Sequence, residues 1–235
     1  PQTPLSLYRT RKASGEIRPD PAQEFAVQKL QSVFMALRGY EPSQASGGLF
    51  ARLGFGRKTE TNAPQGLYIF GDVGRGKSML MDLFFETAPV ERKRRVHFHA
   101  FMQEIHGRLH ALRQKNKGTV SREVARPISR SGEDQAIPKV AADIAEDAWL
   151  LCFDEFHVTN ITDAMILGRL FEQLFEKGCV VVATSNFAPD DLYKGGLQRD
   201  RFLPFIEILK DHLDVLQLSS EQDYRMTGLK GHPVY

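Results

Sequence analysis

The chain has 235 residues, 42% of them apolar, and a formal net charge of +2. That is enough apolar content for one sizeable core or two small ones, and the near-neutral charge neither demands nor excludes a nucleic-acid partner. No run approaches the roughly 20 apolar residues of a membrane helix, and the start, PQTPLSLYRTRKASGEIRP, has no apolar h-region, so a soluble protein without a secretory signal is expected.

In chain order, the first periodic segment is 22–37, where Phe25, Val27, Leu30, Val33, Phe34 and Leu37 share one helical face and Asp20 is placed as N-cap. Residues 41–65 are rich in Gly, Ser, Thr and basic side chains and read as a linker, from which Leu49, Phe50, Leu53 and Phe55 are expected to dock on the core. Strands and helices then alternate: strand 67–70, helix 77–87, strand 95–99, helix 101–115, helix 138–146, strand 149–153, helix 163–177, strand 179–185, a helix near 203–212 and a strand near 214–218. Such alternation predicts an α/β fold with a mainly parallel five-stranded sheet flanked by helices. The polar stretch 115–135 is predicted to be a mobile loop. Cys152 and Cys179 each fall inside a core strand and read as unpaired structural thiols of a reducing compartment.

The richest segment is LYIFGDVGRGKSMLMDLFF, residues 67–85, an apolar strand that enters a glycine-rich turn and leaves it as a helix. Gly71, Gly76, Lys77 and Ser78 fill the G-x-x-x-x-G-K-S spacing. Glycines at these positions let successive N–H groups face one point, and the helix opening there adds its positive end, so a phosphate is expected against Gly71, Asp72, Val73, Gly74, Arg75, Gly76, Lys77, Ser78 and Met79. Lys77 would reach the β- and γ-phosphates and the Ser78 hydroxyl would hold Mg²⁺, which selects a nucleoside triphosphate over a dinucleotide. WLLCFDE, residues 149–155, is an apolar run ending in two acids. It reads as a strand buried on both faces, with Asp154 placed to hold Mg²⁺ through water and Glu155 to polarise the water that attacks the γ-phosphate.

CVVVATSN, residues 179–186, also ends a buried strand in polar groups, at the edge where ligands of open α/β sheets sit. Asn186 either orients the lytic water with Glu155 or caps the following turn. Arg199 and Arg201, read as lying just before the last helix, either reach a neighbouring subunit's nucleotide as an arginine finger or pair locally with Asp200 or Asp190. His97 and His99 are read as alternating on a strand, with Phe98 on its other face. Phe101 and Met102 at the junction that follows either present an aromatic to a ring's pore or pack in the core. His106 and His110 stand one helical turn apart at metal-ligand spacing, but Gly-Arg-Leu follows His106 where a metalloprotease carries its glutamate, which argues against a metal.

These strings resemble the AAA+ branch of P-loop ATPases. HFHAFM, LCFDEFHVTNITDAMILGRLF, VVVATSNFAPDDLY and GLQRDRFLPFI are more narrowly similar to the ZapE/AFG-type family, the bacterial cell-division ATPase and its mitochondrial relatives, from about residue 4 to 225. The resemblance implies Walker A at Gly71–Ser78, Walker B at Asp154 and Glu155, sensor 1 at Asn186, and an arginine finger at Arg201 with Arg199 second. It also implies ATP and Mg²⁺ as ligands, a homo-oligomer, and a task at the FtsZ ring in the bacterial cytoplasm or in mitochondrial quality control. Family members continue past Asp223–Met226 into a lid, so a division into 1–65 (helix and basic linker), 66–220 (AAA+ core) and 221–235 (start of a lid largely absent from this chain) is expected. The family pattern has Gln where this chain has His157 and Asp where it has Asn160. A DNA-associated helicase loader shares the motif order and would use the basic residues at 92–95 and 52–58, which otherwise form a solvated face; nucleic acid is the less favoured partner, and peripheral membrane association stays open.

Overall fold

A computed structural model describes residues 2–42, 63–119 and 131–219. The elements are α1 (Pro4–Ala13), α2 (Pro21–Ala36), β1 (Gly66–Phe70), α3 (Lys77–Thr87), β2 (Lys93–His97), α4 (Phe98–Thr119), α5 (Ser131–Asp147), β3 (Leu150–Asp154), α6 (Ile161–Glu176), β4 (Val180–Ser185), α7 (Arg199–His212) and β5 (Leu213–Gln217). All five strands are parallel, in the order β2-β3-β4-β1-β5, so β1 lies between the last two strands of the chain. Each crossover between parallel neighbours carries at least one helix, which is how both faces become covered.

Strand alternation divides the apolar side chains between two cores. Leu67 and Ile69 of β1, Leu150 and Cys152 of β3, and Val180 and Val182 of β4 face α1, α2 and α3. Tyr68, Leu151, Phe153, Val181 and Ala183 face α4 to α7. The second core is aromatic at its centre, with the Phe98 and Phe156 ring centroids 3.9 Å apart and those of Phe101 and Phe153 4.8 Å apart. Cys152 and Cys179 are buried and unpaired, and burial pushes both thiols well above their ordinary range.

Asp20 caps α2 as the sequence predicts, its carboxylate accepting from Ala22 N at 2.8 Å, and the stripe from Val27 to Leu37 is buried. Helix α1 has no counterpart among the periodic segments of the sequence. It starts at Pro4 behind a reciprocal Thr3/Ser6 cap, the Thr3 N–H donating to Ser6 Oγ at 2.8 Å and the Ser6 N–H to Thr3 Oγ1 at 3.2 Å, and it buries Leu7 and Tyr8.

Other boundaries move. The strand read at 95–99 is Lys93–His97, because its only partner among the described residues, β3, ends at Asp154, which stands opposite His97. His99 therefore lies in α4 and does not alternate with His97 along a strand. Phe101 and Met102 are fully buried core residues, which rules out the pore reading for them. Helices α5 and α7 begin several residues before the positions expected near Pro138 and Pro204. Both prolines lie inside helices on exposed faces, where water can serve the carbonyl that each deprives of a partner. The predicted loop at 115–135 is entered from both sides by α4 and α5, and residues 120–130 lie outside the described residues. So do the basic segment 52–58 and Leu49, Phe50, Leu53 and Phe55.

Candidate nucleotide site

The carboxyl ends of β1, β3 and β4 meet at one edge of the sheet, and every predicted phosphate or metal residue lies on or just beyond them. After Phe70 the chain turns sharply: the Gly71 N–H donates to Ser185 O at 3.2 Å, and a Cβ on Gly71 would sit 2.7 Å from Leu218 O. Gly74 and Gly76 have φ of +82° and +84°, a region that side-chain-bearing residues avoid. Gly76 precedes α3, whose first turn has no side-chain cap, leaving its N–H groups and positive end directed outward from the turn. The Lys77 ammonium donates to Gly71 O at 2.6 Å and Asp72 O at 2.7 Å, and desolvation lowers its pKa. Ser78 is exposed on the first turn and Met79 packs inward against the helical core.

Helix α2 braces this turn from outside. The Gln23 side-chain amide donates to Arg75 O at 3.2 Å, and a Cβ on Gly76 would come within 2.7 Å of Gln23 Nε2. Such a contact, between residues 52 positions apart, gives no local sequence signal.

Asp154 ends β3 and is buried on the face that carries α3. It receives the Arg95 guanidinium through both carboxylate oxygens, Nε to Oδ2 at 2.7 Å and Nη2 to Oδ1 at 3.2 Å. The third nitrogen, Nη1, donates to Asp82. Asp82 sits one helical turn beyond Ser78, so α3 and β3 are tied together directly beneath the predicted metal residues.

Glu155 differs in every respect. Its side chain is 81% exposed, with His97 Nδ1 4.0 Å away, and its backbone has φ of +54°. That conformation costs a non-glycine residue of the order of 1 kcal/mol or more and survives only where neighbours enforce it. Here Phe156 enforces it: its N–H donates to Thr184 O at 2.7 Å, its carbonyl accepts from Ser185 Oγ at 2.6 Å, and its ring is fully buried among Phe98, Phe171 and Phe205.

Asn186 is exposed at the end of β4 and lines a cavity of about 250 Å³ together with Gly71, Asp72 and Leu218. The chain just beyond it is fixed twice, by the Tyr68 hydroxyl donating to Phe187 O at 2.9 Å and by the Phe187 N–H donating to Ser185 Oγ at 3.1 Å. His157 stacks on Phe187 with ring centroids 4.5 Å apart, linking the loops that follow β3 and β4. Asn160 fills the place an aspartate would take as N-cap of α6, accepting from Thr162 N at 2.7 Å.

Arg199 and Arg201 lie in the first turn of α7 rather than before it. Arg199 is held within its own chain, donating to Asp190 O at 2.6 Å, while the Asp190 carboxylate accepts from Lys210 at 2.5 Å. Arg201 is exposed and its side chain has no partner among the described residues. His106 is 2.5 Å from Asp163 across α4 and α6, and no cluster of three or more metal-ligating side chains occurs among the described residues. No described helix is long and apolar enough to cross a membrane.

A phosphate cradle between β1 and the next helix of a 2-3-4-1-5 parallel sheet, with an acid pair at the end of β3, defines the AAA+ class of P-loop proteins. The family model described as AFG1-like ATPase matches residues 2–235, and the chain belongs to that family. It is 41% identical over 232 residues to the cell division protein ZapE of Escherichia coli K12, covering 97% of this chain and 57% of the relative. It is 47% identical over 172 residues to lactation elevated protein 1 homolog B of Danio rerio, covering 73% of this chain and 33% of the relative. The chain thus spans 57% of the length of the bacterial relative it matches. The fold is shared with the crystal structure of DnaI, at a TM-score of 0.52 and 13% identity over 86% of this chain and 88% of that one. It is likewise shared with domain III of the Thermotoga maritima replication initiation protein DnaA, at a TM-score of 0.51 and 16% identity over 86% of this chain and 65% of that one.

Proposed function

We propose that the protein is a Mg²⁺-dependent ATPase whose turnover drives the remodelling of a protein partner in bacterial cell division, at the FtsZ ring in the cytoplasm. The observation that carries the hydrolytic part is the pairing of the Gly71–Ser78 cradle with two unlike carboxylates at the end of β3: Asp154 buried and ion-paired, Glu155 exposed and backbone-strained. The division role rests on the 41% identity to ZapE.

In this reading the N–H groups from Asp72 to Met79 bind the phosphates, and Lys77 transfers its ammonium from the Gly71 and Asp72 carbonyls to the β- and γ-phosphate oxygens. The residues fit a divalent cation, since Asp154 is a buried carboxylate and Ser78 an exposed hydroxyl on the adjoining helix; Mg²⁺ bound there supplies charge neutralisation for the triphosphate. Glu155 takes the proton of the attacking water, and Asn186 hydrogen-bonds the same water from β4. Arg201 projects to the nucleotide of a neighbouring copy, while Arg199, held by Asp190 O, shapes the turn that presents it.

Glu155→Gln is expected to retain ATP binding and lose turnover by roughly 100-fold or more. Unchanged turnover would remove Glu155 from the chemistry. Nucleotide-dependent co-sedimentation with FtsZ polymers tests the division role, with salt-dependent binding to single-stranded DNA as the competing outcome. The residues offered to DNA at 92–95 already have internal partners. Arg92 binds Glu146 O and covers Trp149, Lys93 binds Phe85 O and Ala88 O, Arg94 pairs with Glu104, and Arg95 is held by Asp154 and Asp82.

A further inference from the structure

The guanidinium of Arg95 has three nitrogens, and each is bonded to a carboxylate: two to Asp154 and one to Asp82. The side chain of Asp154 is 11% exposed and that of Arg95 24%, whereas that of Asp82 is 54% exposed. Thus the carboxylate read as a metal residue is also the best-buried partner of a permanent cation. An arginine cannot shed its charge by losing a proton, so a divalent cation drawn to Asp154 meets a fixed like charge bonded to both of its oxygens. That conflict is relieved only if the guanidinium shifts weight elsewhere. Asp82, one turn along α3 from Ser78, is already in contact with it.

We propose that Arg95 is a positioning residue that competes with the divalent cation for Asp154, and that Asp82 sets the strength of this competition by drawing the guanidinium away. The proposal rests on the assignment of Asp154 and Ser78 to the metal. The guanidinium orients the carboxylate before metal arrives and limits occupancy by metal alone. Its second partner lies on the helix that begins at the phosphate cradle, so a movement of α3 changes how much of the Arg95 charge Asp154 must share.

Opposite signs make the idea testable. Mn²⁺ serves as the probe, with the free ion counted by electron paramagnetic resonance in the presence of a saturating non-hydrolysable ATP analogue, so that turnover is not required. Arg95→Gln is expected to tighten Mn²⁺ binding and Asp82→Asn to weaken it, each by about fivefold, the low end of measured coupling between sites. The double variant should match Arg95→Gln alone, because Asp82 acts only through Arg95. A residue that merely supports the fold would move both variants in one direction and would give an additive double variant; either result overturns the proposal, as does unchanged Mn²⁺ affinity. If Arg95→Gln does not fold, Asp82→Asn, changed at a half-exposed side chain, decides the matter alone, and no weakening there overturns it. Asp154→Asn separates the two levels: unaltered Mn²⁺ affinity in that variant defeats the metal assignment itself, whereas a loss there with no response at Arg95 or Asp82 defeats only the competition.

Discussion

Glu155 illustrates how a single residue is held in a conformation it would not choose. Its positive φ follows from the anchoring of Phe156, whose ring is fully buried and whose backbone is bonded to Thr184 and Ser185 of β4. The strain is therefore maintained by the aromatic core and located beside the proposed γ-phosphate position. Glu155→Gly is expected to raise stability by about 1 kcal/mol, since glycine adopts this φ freely, while abolishing turnover. Denaturant unfolding with a parallel ATPase assay checks both halves, and a loss of stability would show that φ is not strained. The acid pair itself is legible in WLLCFDE, because an apolar run that closes on two adjacent carboxylates sets negative charge at a sheet edge where a cation would balance it. The division of labour between the two acids is not legible, because burial of Asp154 and strain at Glu155 arise from β4 and the rings of α4, α6 and α7, far away in sequence. The arginine that grips Asp154 escapes sequence reasoning for the same reason. Its only signal is parity: Arg95, Cys152 and Asp154 fall on one face of adjacent parallel strands once the register is known.

At the scale of elements, β1 connects the cradle to the segment that follows β4. Its own backbone begins at Gly66, where a Cβ would lie 1.9 Å from Val181 O, so this strand sits closer to β4 than any side chain there allows. Gly66→Ala is expected to cost several kcal/mol, about 3 or more, because the sheet backbone must shift to admit the methyl group. A chemical-denaturation midpoint close to that of the parent protein would contradict this. Two residues later, Tyr68 crosses the aromatic core and donates to Phe187 O. Tyr68→Phe removes only that donor and should cost about 1 kcal/mol in stability, with a larger relative loss in turnover than in ATP affinity, because the residue it anchors adjoins Asn186. Equal losses in both would make the bond merely structural. Element types are readable from periodicity throughout this core. Boundaries fail around two prolines: Pro138 and Pro204 both carry the signature of a first turn, yet the helices around them continue toward the N-terminus. Helix α1 escapes a reading by periodicity because its apolar content is low, although Thr3-Pro4 with Ser6 three residues after the cap is a start signal in its own right.

Over the whole molecule, the sheet separates the helix that opens the cradle from the helix that carries Arg199 and Arg201. Helix α3 packs on one face with α1 and α2, and α7 packs on the other with α6. Arg201 leaves the surface without an internal partner among the described residues, which suits a site completed between copies of the chain. Lys77→Ala and Arg201→Ala are each expected to be inactive in the full-length protein, and mixing them should restore part of the activity, because a mixed pair contains one intact site. No restoration, with both variants still assembling, would count against the finger. Spacing alone does not decide which of the two arginines stands free; that depends on Asp190 O capturing Arg199 across the loop before α7.

Strand β2 is one margin of the sheet, paired only with β3 among the described residues. An unpartnered strand margin displays a row of amide and carbonyl groups that can template the addition of a strand from another molecule, the first step toward aggregates. Here three consecutive residues, Lys93, Arg94 and Arg95, are cationic, and ion pairs and carbonyl bonds pin their side chains to α3, α4 and β3. A second copy approaching in register would set these cations beside their own images while they cannot swing away to solvent. The run that reads in sequence as a grip for nucleic acid therefore also guards this margin of the sheet against the addition of a further strand.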